Sequence, residues 1–157
     1  MTIWDIRSKY IEQIRTLPER LDEMVAGLSE DQLETTYGEG KWSIRILVHH
    51  LADSHANALA RFKWLLTEDN TAVKVYDQEA WAALPDYQMP IEPSLAMLRG
   101  LQERWAYLLS KVPENAWKRT VQHPEDGEYS LDSLLEAYAG HGEKHLGHIR
   151  QALRRLK

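Results

Sequence analysis

Six of the seven histidines fall in two short segments, His49, His50 and His55 in one and His141, His145 and His148 in the other. At about 100° per helical residue, His141 and His145 differ by about 40° and lie one turn apart, so both imidazoles can reach a single ion. His148 shares their stripe, but it stands seven residues, or about 10 Å, along the axis from His141. A third ligand must then come from the first segment, where His49 and His50 point about 100° apart and at most one faces inward at that level. A lone histidine is most simply a surface or hydrogen-bonded core residue; the i, i+4 pair joined by a second cluster is what points to a divalent metal. The run His141-Gly142-Glu143-Lys144-His145 is not a zincin helix, because the zincin glutamate directly follows the first histidine, whereas Glu143 sits about 200° from His141.

These histidines need rigid elements to hold them. Ile3, Ile6, Tyr10, Ile14, Leu17, Leu21, Met24, Val25 and Leu28 recur at steps of three and four and predict a first amphipathic helix, Ile3 to Leu28, kinked or divided by Pro18. Ser29 with Gln32 forms a capping-box pattern for a short turn that ends before Gly38. Ser43 is placed to cap a second long helix, Ile44 to about Leu66, which carries the first histidines. Its face around His50 includes Ser43, Ile46, Leu47, Asp53, Ser54, Asn57 and Arg61, apolar first and then polar, and polar groups inside a bundle require partners.

From Asn70 to Pro93 three prolines and a short helical patch at Glu79–Leu84 read as a long crossover. Pro93 opens a third helix, Ser94 to Val112, with Leu95, Leu98, Leu101, Trp105, Leu108 and Leu109 as its stripe. A short hairpin turning at Asp126-Gly127 precedes Ser130, which caps a fourth helix running to about Leu156 and ending in Arg150, Arg154, Arg155 and Lys157. The prediction is an all-α four-helix bundle with a long crossover between the second and third long helices, one domain over residues 1–157. Gly140, Gly142 and Gly147 cost about 1 kcal/mol each against alanine in a helix, which calls for close helix packing or room for a bound molecule. The six tryptophans are expected to anchor helix contacts, with Trp81 in the crossover able to line a pocket.

Composition narrows the partners. The 157 residues are 43% hydrophobic and 27% charged, enough for a core that buries about 70% of the unfolded chain's surface. Twenty-four acidic against 19 basic residues give a net charge of −5, so nucleic acid and anionic lipid are not expected partners. The absence of cysteine excludes disulfides, a cysteine nucleophile and thiolate ligands. With no apolar signal segment and no membrane-length run, a cytoplasmic protein is expected.

The segment Trp42-Ser43-Ile44-Arg45-Ile46-Leu47-Val48-His49-His50-Leu51-Ala52-Asp53-Ser54-His55 resembles the second-helix motif of the DinB superfamily, in its YfiT-like branch. Arg61-Phe62-Lys63, Leu66-Thr67-Glu68, Val73 to Asp77 and Trp81 resemble that family's crossover, and His141 to Ile149 its last-helix histidine motif. The resemblance runs from about Tyr10 to the C-terminus. It implies a four-helix bundle, frequently a homodimer, in which three histidines hold one divalent ion, zinc or nickel. Matched position by position, those three are His50, His141 and His145.

Three neutral imidazoles leave an ion its double charge and leave coordination positions open, which suits activation of a nucleophile. A low-molecular-weight thiol attacking a small electrophile would make the protein an S-transferase, as in the bacillithiol transferases that the resemblance includes. Water as nucleophile would make it a hydrolase, and a metal-holding stress or binding protein is the non-catalytic alternative. Asp53, three residues from His50, is the carboxylate placed to orient a ligand imidazole or accept a proton.

Overall fold

The computed structural model describes residues 1–69 and 71–156. Asn70, where the crossover was expected to begin, and Lys157 of the terminal basic group lie outside the described residues. Four long helices form the body: α1 (Ile3–Val25), α3 (Ile44–Thr67), α5 (Glu92–Ser110) and α6 (Leu131–Arg154). The short helices α2 (Glu30–Leu33) and α4 (Gln78–Ala82), two 3-10 turns at Pro85–Gln88 and Glu114–Lys118, and the antiparallel strands β1 (Thr120–His123) and β2 (Gly127–Ser130) fill the connections.

Three of the four long helices start on a side-chain cap, and α5 starts without one, on a first turn that holds Pro93. The Thr2, Ser43 and Ser130 side chains accept from the backbone N–H groups of Asp5, Ile46 and Ser133, satisfying donors that the first helical turn leaves free. The Ser29–Gln32 capping box forms as expected. Helix α1 ends at Val25 rather than Leu28, because Gly27 takes a left-handed backbone (φ +74°) that stops the turn. Pro18 neither ends nor divides α1, which continues through it. The hairpin turns at Pro124–Asp126, with Gly127 (φ +85°) opening β2, one residue displaced from the expected Asp126-Gly127 turn.

Packing runs α1 against α5 and α6, and α3 against the same two, so α1 and α3 are diagonal although they are consecutive long helices. The crossover makes this order possible by carrying the chain from the end of α3 back to α5. It is tied at both ends. Val73 N–H donates to the Gln122 carbonyl (2.8 Å) and Gln122 N–H to the Thr71 carbonyl (3.1 Å), while the Met89 carbonyl accepts from the buried Arg45 guanidinium (2.9 Å).

The core is divided into two halves. One is built around Phe62, Trp105, Trp117 and Leu135, the other around Leu21, Leu47, Leu98 and Ile149. Between them lies a layer in which α3 carries His55, α5 Gln102 and α6 Gly142, all buried. Trp105 and Trp117 anchor helix contacts as expected, but Trp64 projects from the outer face of α3 with 49% exposure. Among the described residues no helix is long and apolar enough to cross a membrane.

Candidate metal centre

His50 on α3 faces His141 and His145 on α6, and the three are brought together with their ligand nitrogens all within 4.8 Å of one another. His50 Nε2 and His145 Nε2 each lie 3.1 Å from His141 Nε2. Two nitrogens bound to one ion at 2.0–2.1 Å are separated by about 2.9 Å at a 90° angle and about 3.3 Å at the tetrahedral angle, so the observed spacing suits a common ion. His50 Nδ1 is buried without a hydrogen-bond partner, an orphaned polar atom on one of the three rings. A set of imidazole donors of this kind suits a divalent transition-metal ion.

Burial pushes the His50 imidazole down to about 4 and His145 to about 3, with neighbouring histidines and Lys144 adding like-charge repulsion. His141 is driven lower still, by burial first and then by His145. All three are neutral at pH 7, the form that ligates metal.

The remaining histidines are accounted for by contacts. His49, the alternative to His50, is turned away: Nδ1 meets Ser94 Oγ at 2.7 Å and Nε2 meets the Met89 carbonyl at 3.0 Å, binding α3 to the end of the crossover. His148 stacks on Tyr37 at 4.1 Å and places Nδ1 3.2 Å from His145 Nδ1, so it borders the cluster without belonging to it. His123 Nδ1 accepts from the Glu125 and Asp126 amides in the hairpin turn. Glu143 forms an ion pair with Arg20 of α1 (2.7 Å), away from the cluster, as its angular position requires.

Asp53 stands one turn beyond His50, and its carboxylate accepts from the Tyr87 hydroxyl rather than from a cluster imidazole. Burial raises its pKa, and the Tyr87 bond works in the opposite direction. Sequence reasoning left two residues unassigned that lie behind the cluster, His55 and Gln102. His55 Nε2 is 3.4 Å from His141 Nδ1, and His55 Nδ1 is 3.0 Å from Gln102 Oε1. The available signal was Gln102 itself, a polar residue on the apolar stripe of α5 between Leu98 and Trp105.

The cluster has an open side. A cavity of about 430 Å³ is lined by Tyr37, Lys41, Trp42, Glu79, Lys144 and His145, among others, and brings small-molecule-sized space to one of the three imidazoles. Trp42 forms its wall, with the indole 4.8 Å from the His50 ring and Nε1 donating to Glu79 of α4 (3.2 Å). Of the three glycines of α6, only Gly142 meets a neighbour: a Cβ there would lie 3.4 Å from Leu17 and 3.7 Å from His55, whereas Gly140 and Gly147 face open space. Close packing therefore explains Gly142 alone.

The chain is similar in sequence and fold to known proteins. The DinB superfamily profile matches residues 13–149. A candidate metal-dependent hydrolase of Halalkalibacterium halodurans is 45% identical over 148 residues, covering 94% of this chain and 86% of its own. A second, from Oceanobacillus iheyensis, is 42% identical over 150 residues, with 96% and 87% covered. Among solved structures, YfiT from Bacillus subtilis, a candidate metal-dependent hydrolase with an unusual four-helix-bundle topology, superposes with a TM-score of 0.94 at 35% identity, over 99% of this chain and 90% of its own. A mycothiol-dependent maleylpyruvate isomerase shares the fold at a TM-score of 0.72 and 14% identity, over 95% of this chain and 63% of its own.

Proposed function

The chain belongs to the DinB superfamily, and on that premise we propose that His50, His141 and His145 hold one divalent ion, zinc or nickel, in an enzyme that activates an external nucleophile against a small electrophile. The observation that carries this reading is the convergence of three neutral Nε2 atoms, from the buried His50 and His145 and the half-buried His141, beside a cavity. When bound, the ion supplies Lewis acidity, lowering the pKa of a thiol or water held next to it.

The chain's own residues do the rest. Trp42 walls off one side of the imidazoles and limits water there, while Lys41 and Lys144 bring positive charge to the cavity mouth, where a developing anion is stabilised. Asp53, turned by Tyr87 and made more basic by burial, is assigned the proton-accepting role at the α3 side. No cysteine is present, so a thiol nucleophile has to come from a cosubstrate.

Thiol transfer is the reading we place first, supported by the mycothiol dependence of an isomerase with the same fold. Hydrolysis is the second, favoured by the names of relatives more than 40% identical. Residence in the cytoplasm and a homodimeric state are part of this proposal, and the open space beside Gly140 and Gly147 offers a face on which a second copy can pack. Metal-loaded protein incubated with small thiols and monochlorobimane should form adducts faster than the metal-free protein or the His145→Ala variant. Equal rates with every thiol would reject the transferase, and an ester and amide panel would then separate hydrolase from non-catalytic metal binder.

A further inference from the structure

Pro18 has no N–H, so the Ile14 carbonyl four residues earlier loses the helical donor it would otherwise accept from. Ile14 is 1% exposed, and an unpartnered carbonyl at that depth costs free energy. The structure fills the gap from another helix. Gln102 of α5, 0% exposed, donates its Nε2 to the Ile14 carbonyl at 2.9 Å. This contact determines which way round the amide lies, because the reversed amide would set two acceptor oxygens against each other.

With Nε2 given to Ile14, Oε1 of Gln102 must face His55, and it does so at 3.0 Å from Nδ1. An oxygen there can only accept, so His55 carries its proton on Nδ1. Fully buried and facing no carboxylate, His55 is neutral, and its Nε2 is a lone pair. That lone pair points at His141 Nδ1, 3.4 Å away, and is satisfied only if His141 also carries its proton on Nδ1. The His141 Nε2 is then bare and faces His50 and His145. The ring is packed in place: His55 stands edge-on to Trp105 (5.5 Å, 89°) and to Tyr138 (6.2 Å, 80°), and a Cβ added at Gly142 would come within 3.7 Å of its Cε1.

We propose that Gln102 and His55 are positioning residues that fix the tautomer of His141, presenting Nε2 as an unprotonated donor, and that Pro18 sets this relay by creating the acceptor that orients Gln102. The proposal rests on the metal reading of the three histidines only for its purpose; the tautomers themselves are a property of the metal-free chain. Metal-ligating histidines whose other nitrogen is held by a hydrogen bond bind more tightly, and loss of such a partner costs about 10–100-fold in affinity.

The test is long-range proton–nitrogen NMR on histidine-labelled, metal-free full-length protein at pH 7.5, followed by competition titrations with Zn²⁺ alone. In the wild type, His55 and His141 should both be protonated at Nδ1. Gln102→Met should convert them to a tautomer mixture and weaken Zn²⁺ binding by about 10–100-fold. Gln102→Glu keeps both contacts only while its buried carboxyl is protonated, donating to Ile14 and accepting from His55, so the wild-type tautomers should be retained at low pH and lost as the carboxyl ionises, a dependence that a merely space-filling role would not show. Pro18→Ala, which restores the missing N–H and favours the helix, should loosen the amide and broaden the His55 signals. His141 protonated at Nε2 in the wild type, or unchanged tautomers in Gln102→Met, would overturn the relay. A wild type that shows the expected tautomers but binds neither Zn²⁺ nor Ni²⁺ would overturn the metal reading and leave the relay standing.

Discussion

Tyr87 donates its hydroxyl to Asp53 across 2.6 Å, joining the 3-10 turn of the crossover to α3 one helical turn beyond His50. The phenol is 1% exposed and its own pKa is pushed upward by burial and by Asp53, so it remains a donor throughout the physiological range. The crossover thereby sets the direction and basicity of the carboxylate one helical turn beyond His50.

Tyr87→Phe should cost about 1.5–3 kcal/mol, the range for a hydrogen bond to a charged group, measured by denaturant titration. It should also raise the Asp53 pKa further, because the bond it removes is the influence that lowers it. In a rate profile, the acidic limb assigned to Asp53 should move to higher pH, whereas Asp53→Asn should remove that limb. An unmoved limb would free Asp53 of the proton-accepting role.

Metal content should be about one divalent ion per chain and should disappear in His50→Ala, His141→Ala and His145→Ala but persist in His49→Ala and His148→Ala, checked by elemental analysis. An ion present at a thousand times its Kd stabilises by about 4 kcal/mol, so chelation should lower Tm by roughly 10 °C. Retention of the ion by His141→Ala would show that the ligand set is wrong.

Acid should destabilise the metal-free protein earlier than its carboxylates require. His50 and His55 are lowered to about 4 and His145 to about 3, and His141 is also strongly lowered, all by burial first. Below pH 6.5 the unfolded chain therefore binds protons that the native state refuses, and stability falls as pH falls, by about 1.4 kcal/mol per pH unit for each such group. Denaturant midpoints should drop steeply from pH 6.5 toward 4, and less steeply in His145→Leu. A flat profile over that range would contradict the burial of neutral imidazoles.

Gly147→Ala should stabilise the isolated chain by up to about 1 kcal/mol, since its Cβ would enter open space within a helix. Gly142→Ala should gain less, because Leu17 lies 3.4 Å from the new Cβ. Light scattering on the same variants tests the homodimer: a monomer mass for the wild type at micromolar concentration would remove it, and a dimer lost in Gly147→Ala would locate the interface.

Periodicity made the four long helices legible, and their serine caps placed the starts of α3 and α6 to the residue. The i, i+4 spacing likewise marked His141 and His145. The choice between His49 and His50 was not readable from angle alone, because it depends on Ser94 and Met89, 45 and 40 residues away, which occupy His49. His55 was obscured for a similar reason. Five positions from His50, it points about 140° around the helix and meets His141 from behind through a different ring atom. Pro18 reads locally as a break, and the donor that satisfies the carbonyl it frees is the side chain of Gln102, 88 residues distant in sequence from Ile14.

The two ties of the crossover have a consequence for sequence divergence. Val73 is anchored on the hairpin and Met89 on Arg45, and the intervening stretch contributes Glu79 to the cavity wall and the Tyr76–Trp81 pair, packed at 4.3 Å. Between fixed anchor points, insertions are entropically inexpensive, since loop closure grows only slowly with length. The span from 74 to 88 can therefore be lengthened or rewritten to accept a different molecule while the imidazoles, mounted on α3 and α6, keep their positions. A library varied in that span, leaving Tyr87 in place, is the natural starting point for retargeting this scaffold.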